Sequence, residues 1–271
     1  MSATTSSESR LGRAWAELRA RGRTALIPYF TAGHPDRARS LDALRRAAEH
    51  ADLLEVGVSF SDPLADGPTI QRSSFEALQQ GMTLPRTLEL IAEARLEKPV
   101  VVFSYLNPIL HYGPDRFLRD AAEVGAAGLL LTDLPAGSDP ALEALVRASP
   151  LDLIRLVAPT TTGDRLREVA RDAQGFLYLV ARLGVTGASS ALATGLAEYI
   201  ARVRAVSRLP LAVGFGISTP AQARTVAGLA DGVVVGSALV ECLGKEGPAA
   251  AGRFLAELRA ALDSVPGEGA A

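Results

Sequence analysis

Three carboxylates within twelve residues, Glu55, Asp62 and Asp66, are the first groups in this chain that could do chemistry. Glu55 falls inside a short apolar run, Leu53 to Val58, that reads as a buried strand, and Pro63, Gly67 and Pro68 mark the loop that follows it. Strand alternation places Leu53, Glu55 and Gly57 on one face. Glu55 then has apolar neighbours on both sides and resists ionisation because its charge would be poorly solvated. A carboxyl in that state can give and take protons near neutral pH. The same residues admit a plainer reading. A Glu near a strand end can simply pair with an Arg, and Ser-Asp-Pro followed by Asp-Gly-Pro is turn chemistry in its own right.

The remaining elements decide what such a carboxyl could serve. The chain has 271 residues, 48% apolar and 21% charged, with a net charge of -2. That charge gives no general case for nucleic acid. Met1 to Arg10 is polar and Ser-rich, unlike a secretory signal, and no apolar run approaches the ~18 residues of a membrane span. The chain is therefore expected to be cytoplasmic. Cys242 is the single cysteine, which leaves no internal disulfide and no cysteine metal cluster. His34, His50 and His111 lack metal spacing and read as loop or surface residues.

A helical period with a covering role spans Glu8 to Arg21. Strands are expected at Ala25 to Thr31, Leu53 to Val58, Val100 to Tyr105, Ala127 to Thr132, Leu153 to Val157, Gly175 to Ala181, Leu209 to Val213 and Gly232 to Val235. Helical patterns alternate with them, mostly at the roughly 30-residue spacing of βαβ units. The strands are continuous apolar runs, as strands buried on both faces are. An open doubly wound sheet competes, but the first strand lacks a G-x-G-x-x-G turn and eight strands favour closure. The expectation is an α/β fold, a single (β/α)8 TIM barrel over 1–271 with an extra N-terminal helix and disordered tails at 1–7 and 265–271.

In such a barrel the strand C-terminal ends share one mouth, where these enzymes carry their sites. Thr31, Glu55 with Asp62 and Asp66, Asn107, Asp133, Arg182 with Thr186 and Gly187, Gly214 with Gly216, and Gly236 with Ser237 would stand there. Gly216, Gly236 and Ser237 fit a phosphate grip, in which glycine backbone N–H groups and a helix N-terminus meet the anion. They fit tight turns equally. A small phosphorylated substrate worked on by proton transfer follows, with no metal set.

These residues resemble a known family. The Phe60 to Gln71 run F-S-D-P-L-A-D-G-P-T-I-Q is similar to the signature loop of tryptophan synthase alpha subunits. The likeness continues through Pro28 to Gly33, Tyr105 to Ile109, Asp133 to Pro135, Gly184 to Gly187, Gly214 to Ser218 and Gly236 to Ala238, over nearly the whole chain. It implies a lyase that splits indole-3-glycerol phosphate into indole and glyceraldehyde 3-phosphate. By that resemblance Glu55 is the general acid and base at indole C3, Asp66 holds the indole N–H, and Tyr178 is the family's active-site tyrosine. Tyr29 and Phe215 would wall the indole pocket, and Gly187, Gly216, Gly236 and Ser237 would bind phosphate. Thr186 would belong to a loop that closes over substrate.

The resemblance also implies a pyridoxal-phosphate beta subunit as partner, in an alpha2beta2 tetramer, contacted through Pro63, Asn107 and Pro108. This chain itself would need no cofactor. Three departures bear on coupling more than on chemistry. Ser59 replaces a usual Pro, predicting a looser turn; Ala181 replaces a common Ser; and Leu106 stands where an aromatic residue is frequent. Competing readings are a stand-alone lyase, a phosphosugar isomerase or epimerase, and a non-catalytic subunit that activates a partner, the last opposed by the presence of both Glu55 and Asp66.

Overall fold

The computed structural model describes residues 9–181, 190–214 and 216–265, with the side chains of 190–194 left aside. In chain order the elements are α1 (Arg10–Ala20), β1 (Ala25–Thr31), α2 (Arg37–Ala48), β2 (Leu54–Gly57), α3 (Pro68–Gln79), α4 (Leu84–Ala94), β3 (Val100–Ser104), α5 (Leu106–Tyr112), α6 (Pro114–Glu123), β4 (Ala126–Leu131), α7 (Pro140–Ala148), β5 (Asp152–Val157), α8 (Gly163–Asp172), β6 (Leu177–Val180), α9 (Ser190–Arg204), β7 (Leu211–Gly214), α10 (Pro220–Ala227), β8 (Gly232–Val235), α11 (Ser237–Glu246) and α12 (Pro248–Asp263). The strands close in sequence order into a parallel barrel, β8 returning to β1.

Both faces of each strand are buried, which is why the sequence shows unbroken apolar runs. Phe30, Leu54, Val56, Val102 and Leu129 face outward into the layer shared with the helices. Ile27, Leu53, Val101, Ile154, Ala212 and Val234 fill the barrel interior. Leu11 and Trp15 of α1 join that interior cluster, with the Trp15 ring 5.5 Å from Phe176. The covering helix is therefore a plug for the strand N-terminal end, and Ser9 caps it by accepting the Gly12 N–H at 2.9 Å.

Two expectations need correction. Asn107, expected among the residues at the strand C-terminal ends, lies with Pro108 in the first turn of α5. First-turn N–H groups have no intrahelical acceptor, so a proline there costs the helix nothing. His34 lies in the loop after β1, as expected, but is buried rather than at the surface, its Nδ1 3.1 Å from Glu76 Oε2 on α3 and its ring against Gly244 of α11. Burial pulls its pKa below the usual histidine range despite the neighbouring carboxylate.

Candidate active site

Strand register sets the inner face of the mouth. Tyr29 of β1 lies opposite Glu55 of β2, which lies opposite Val101 of β3; one step higher, Thr31 faces Gly57 and Gly57 faces Phe103. Glu55 is 0% exposed, and among the described residues neither carboxylate oxygen finds a hydrogen-bond partner. Burial alone pushes its pKa up to about 8. A buried polar group left without partners is rare and calls for an explanation. Here the acid is held neutral at pH 7 with its proton free to be given away, as the strand alternation predicts.

Asp66 sits at the head of α3 in a different setting. The Tyr105 hydroxyl donates to Asp66 Oδ2 at 3.0 Å and accepts the Ala65 N–H at 2.9 Å. Burial raises the Asp66 pKa to about 6, with the Tyr105 bond opposing the rise. Asp66 is thus an anion at neutral pH beside a neutral Glu55. Asp62 is exposed and stands apart from this pair. Asp133 has another use, since its Oδ1 accepts the Leu106 N–H at 2.7 Å and caps the start of α5.

Two tyrosines line the same chamber. Each lies across a glycine: a Cβ on Gly57 would overlap the Tyr29 hydroxyl, and one on Gly214 would overlap the Tyr178 hydroxyl. The Tyr178 hydroxyl is raised well above its usual pKa by burial first, then by Glu55, Tyr29 and Asp66, groups that all lie close enough to act on it. Tyr29 packs edge-on to Phe103 with centroids 5.3 Å apart, and with Ile70 and Val240 these rings form an apolar wall. Thr31 and Ser73 hydroxyls share a 2.7 Å bond that ties β1 to α3.

The loop between Glu55 and Asp66 is tied down despite Ser59. The Phe60 N–H donates to Ser74 Oγ at 2.8 Å, Ser74 returns a bond to the Phe60 carbonyl at 3.1 Å, and the Phe60 ring lies 5.2 Å from Tyr105.

Next to β1 in the barrel, Gly236 follows β8 and precedes α11, and among the described residues no side chain caps the helix. A Cβ on Gly236 would stand in ordinary contact with Tyr29, so the head of α11 adjoins the tyrosine chamber. Gly216 has φ +87° in the exposed turn after β7, and Ser237 is exposed. Uncapped N–H groups at a helix start suit an anion. Arg182, Thr186, Gly187 and Phe215 lie outside the described residues. Among the described residues no group of three His, Cys, Asp or Glu could hold a metal, and no helix is long and apolar enough to cross a membrane.

Pro63 is half-buried, Asn107 exposed and Pro108 half-buried, and Leu64 and Leu110 beside them are 91% and 51% exposed. Sequence reasoning missed the part played by Tyr105, whose contact with Asp66 spans 39 positions. It also missed Phe103, which only the strand register brings to the site.

Residues 15–262 match the family model for the tryptophan synthase alpha chain. The chain is 46% identical over 271 residues to a tryptophan synthase alpha chain from Acidiphilium cryptum, covering 96% of this chain and 98% of the relative. It is 50% identical over 238 residues to one from Citrifermentans bemidjiense, covering 86% and 88%. Among solved structures it resembles tryptophan synthase of Mycobacterium tuberculosis (TM-score 0.86, 41% identity, 94% and 98% coverage) and tryptophan synthase subunit alpha of Legionella pneumophila (TM-score 0.87, 35% identity, 95% and 99% coverage).

Proposed function

The chain belongs to the tryptophan synthase alpha chain family, and from that premise we propose how its own residues carry the family reaction. The chain is the alpha subunit in tryptophan biosynthesis, a lyase that cleaves indole-3-glycerol phosphate. The observation that carries the assignment of residues is Glu55, buried, neutral and without a partner among the described residues, in the chamber of Tyr178 that the anionic Asp66 also adjoins.

Glu55 gives its proton to indole C3, which turns the ring into an iminium-like indolenine. Asp66 accepts the indole N–H and stabilises the cation. The bond from C3 to the carbinol carbon then breaks, its electron pair returns to the ring, and the carboxylate left on Glu55 takes the proton of the carbinol hydroxyl. Indole and glyceraldehyde 3-phosphate result, with Glu55 restored as an acid. Tyr178 orients the glycerol portion, and Tyr29 and Phe215 flank the indole. Gly187, Gly216, Gly236 and Ser237 hold the phosphate, and Thr186 belongs to the loop that excludes water. A single barrel domain over 1–271 is part of the same reading, supported by every described helix packing on one barrel.

The family implies a beta-subunit partner, and its pyridoxal phosphate belongs to that subunit. An alpha2beta2 assembly docked through Pro63, Asn107 and Pro108, a cofactor-free alpha chain and a cytoplasmic setting complete the proposal. Exposed Leu64 and Leu110 beside those residues support the docking face. The test is indole release from indole-3-glycerol phosphate by the purified chain, alone and with a tryptophan synthase beta subunit. Weak release that rises strongly with partner is expected; strong release indifferent to partner would overturn the coupled reading, and no release in either case would overturn the residue assignments.

A further inference from the structure

Asp66 lies in a loop that has to keep its shape while carrying a half-buried charge. Besides Ser74 and Gln71 of α3, that loop is held by a side chain from another strand end. Tyr105 follows β3, is 5% exposed, and accepts the Ala65 N–H while facing Asp66 Oδ2. The amide can only donate and the ionised carboxylate can only accept. The direction of both bonds is therefore fixed, and the hydroxyl proton must lie on the Asp66 side. The ring is itself held by Phe60, five residues beyond Glu55 on the same loop.

Tyr105 has a second position in the fold. It is the N-cap residue of α5, extended at φ -93° and ψ 161°, and its neighbour Leu106 is fixed by Asp133. The helix that leaves from it carries Asn107, Pro108 and the exposed Leu110. One residue thus joins the proposed docking face to the Asp66 carboxylate through a single ring.

We propose that Tyr105 is a positioning residue: its hydroxyl aims the Asp66 carboxylate at the indole N–H, and docking on α5 reaches Asp66 through it. This rests on the functional reading above. Two consequences separate it from a structural role. The hydroxyl opposes the rise in the Asp66 pKa caused by burial, so its loss lets that pKa climb. Its loss also cuts the link between partner and carboxylate while leaving the docking face in place.

The test compares wild type, Tyr105→Phe, Asp66→Asn and the double variant, each alone and with a beta subunit. Tyr105→Phe keeps the ring against Phe60, and Ala65 is an exposed residue whose part-buried N–H can turn to water, so the fold is retained. The expected result is a kcat lower by about ten-fold, KM changed by less than about two-fold, and a smaller stimulation by partner. The acid limb of the kcat/KM profile moves upward, and no further loss appears in the Asp66→Asn background. A kcat within two-fold of wild type with an unmoved acid limb, or losses that multiply with Asp66→Asn, would overturn the proposal. A wild-type chain that releases no indole would instead remove the functional reading, and this inference with it.

Discussion

Glu55 and Asp66 are both carboxyls at one barrel mouth, and what separates them is depth of burial together with hydrogen bonding. Glu55 has burial without a partner, so its neutral form is favoured to about pH 8; Asp66 has burial opposed by the Tyr105 hydroxyl and titrates near 6. The mechanism needs the first protonated and the second charged. The kcat/KM profile should therefore be a bell, rising as pH passes about 6 and falling as it passes about 8. A profile flat from about pH 5 to about pH 9 would remove this pair from the rate law. The same shift makes a stability statement. Between the ordinary value of 4.5 and about 8, folded Glu55 holds a proton that the unfolded chain has lost, so stability falls as pH rises through that window. Glu55→Gln should abolish cleavage, match wild-type thermal stability near pH 4.5, and exceed it increasingly up to pH 8. Equal melting temperatures at pH 8 would mean that Glu55 is better solvated than its burial indicates.

At the scale of the element, Gly57 shows how a strand end makes room for an active-site ring. A Cβ there would come within 2.6 Å of Tyr29 Cζ and 2.9 Å of Cε2. Gly57→Ala should cost about 1–3 kcal/mol, as overpacking does, and lower kcat by displacing the ring beside Glu55. Tyr29→Phe in that background removes the nearest atom and should restore part of the loss. Strictly additive changes in melting temperature would show that the two positions do not compete for space. The elements themselves were largely legible. β1 and β8 fall on the residues that apolar runs and turn residues mark, because those signals are local. Glu55 was legible for the same reason, since alternation alone predicts its face. α5 was not, because Asn107-Pro108 reads as a breaker unless the free first-turn N–H groups of a helix are considered. Nor were the burial of His34 and the grip of Tyr105 on Asp66, which depend on neighbours distant in sequence.

For the molecule as a whole, the barrel keeps chemistry and closure at opposite ends, an arrangement general to this architecture. At the end away from Glu55, Arg259 of α12 donates to Asp52 Oδ2 at 2.9 Å and to the Thr24 carbonyl at 3.0 Å, and the same Asp52 oxygen accepts the Leu26 N–H at 2.9 Å. The last helix is thereby bolted to the start of β1 and to the turn before β2. Arg259 and Asp52 side chains are only 8% and 11% exposed, so losing the arginine leaves a nearly buried carboxylate with Arg23, 3.3 Å away, as its remaining cation. Removing one member of a buried pair costs about 3–5 kcal/mol, and Arg23 should hold the loss toward the lower figure. At about 2–4 °C per kcal/mol for a chain of this size, Arg259→Ala should melt roughly 6–12 °C below wild type. The kcat of the folded variant should be unchanged at 25 °C, because no residue of this network reaches the mouth. A variant that kept its melting temperature but lost turnover would reverse the division, placing the α12 bolt in the catalytic machinery rather than in barrel closure.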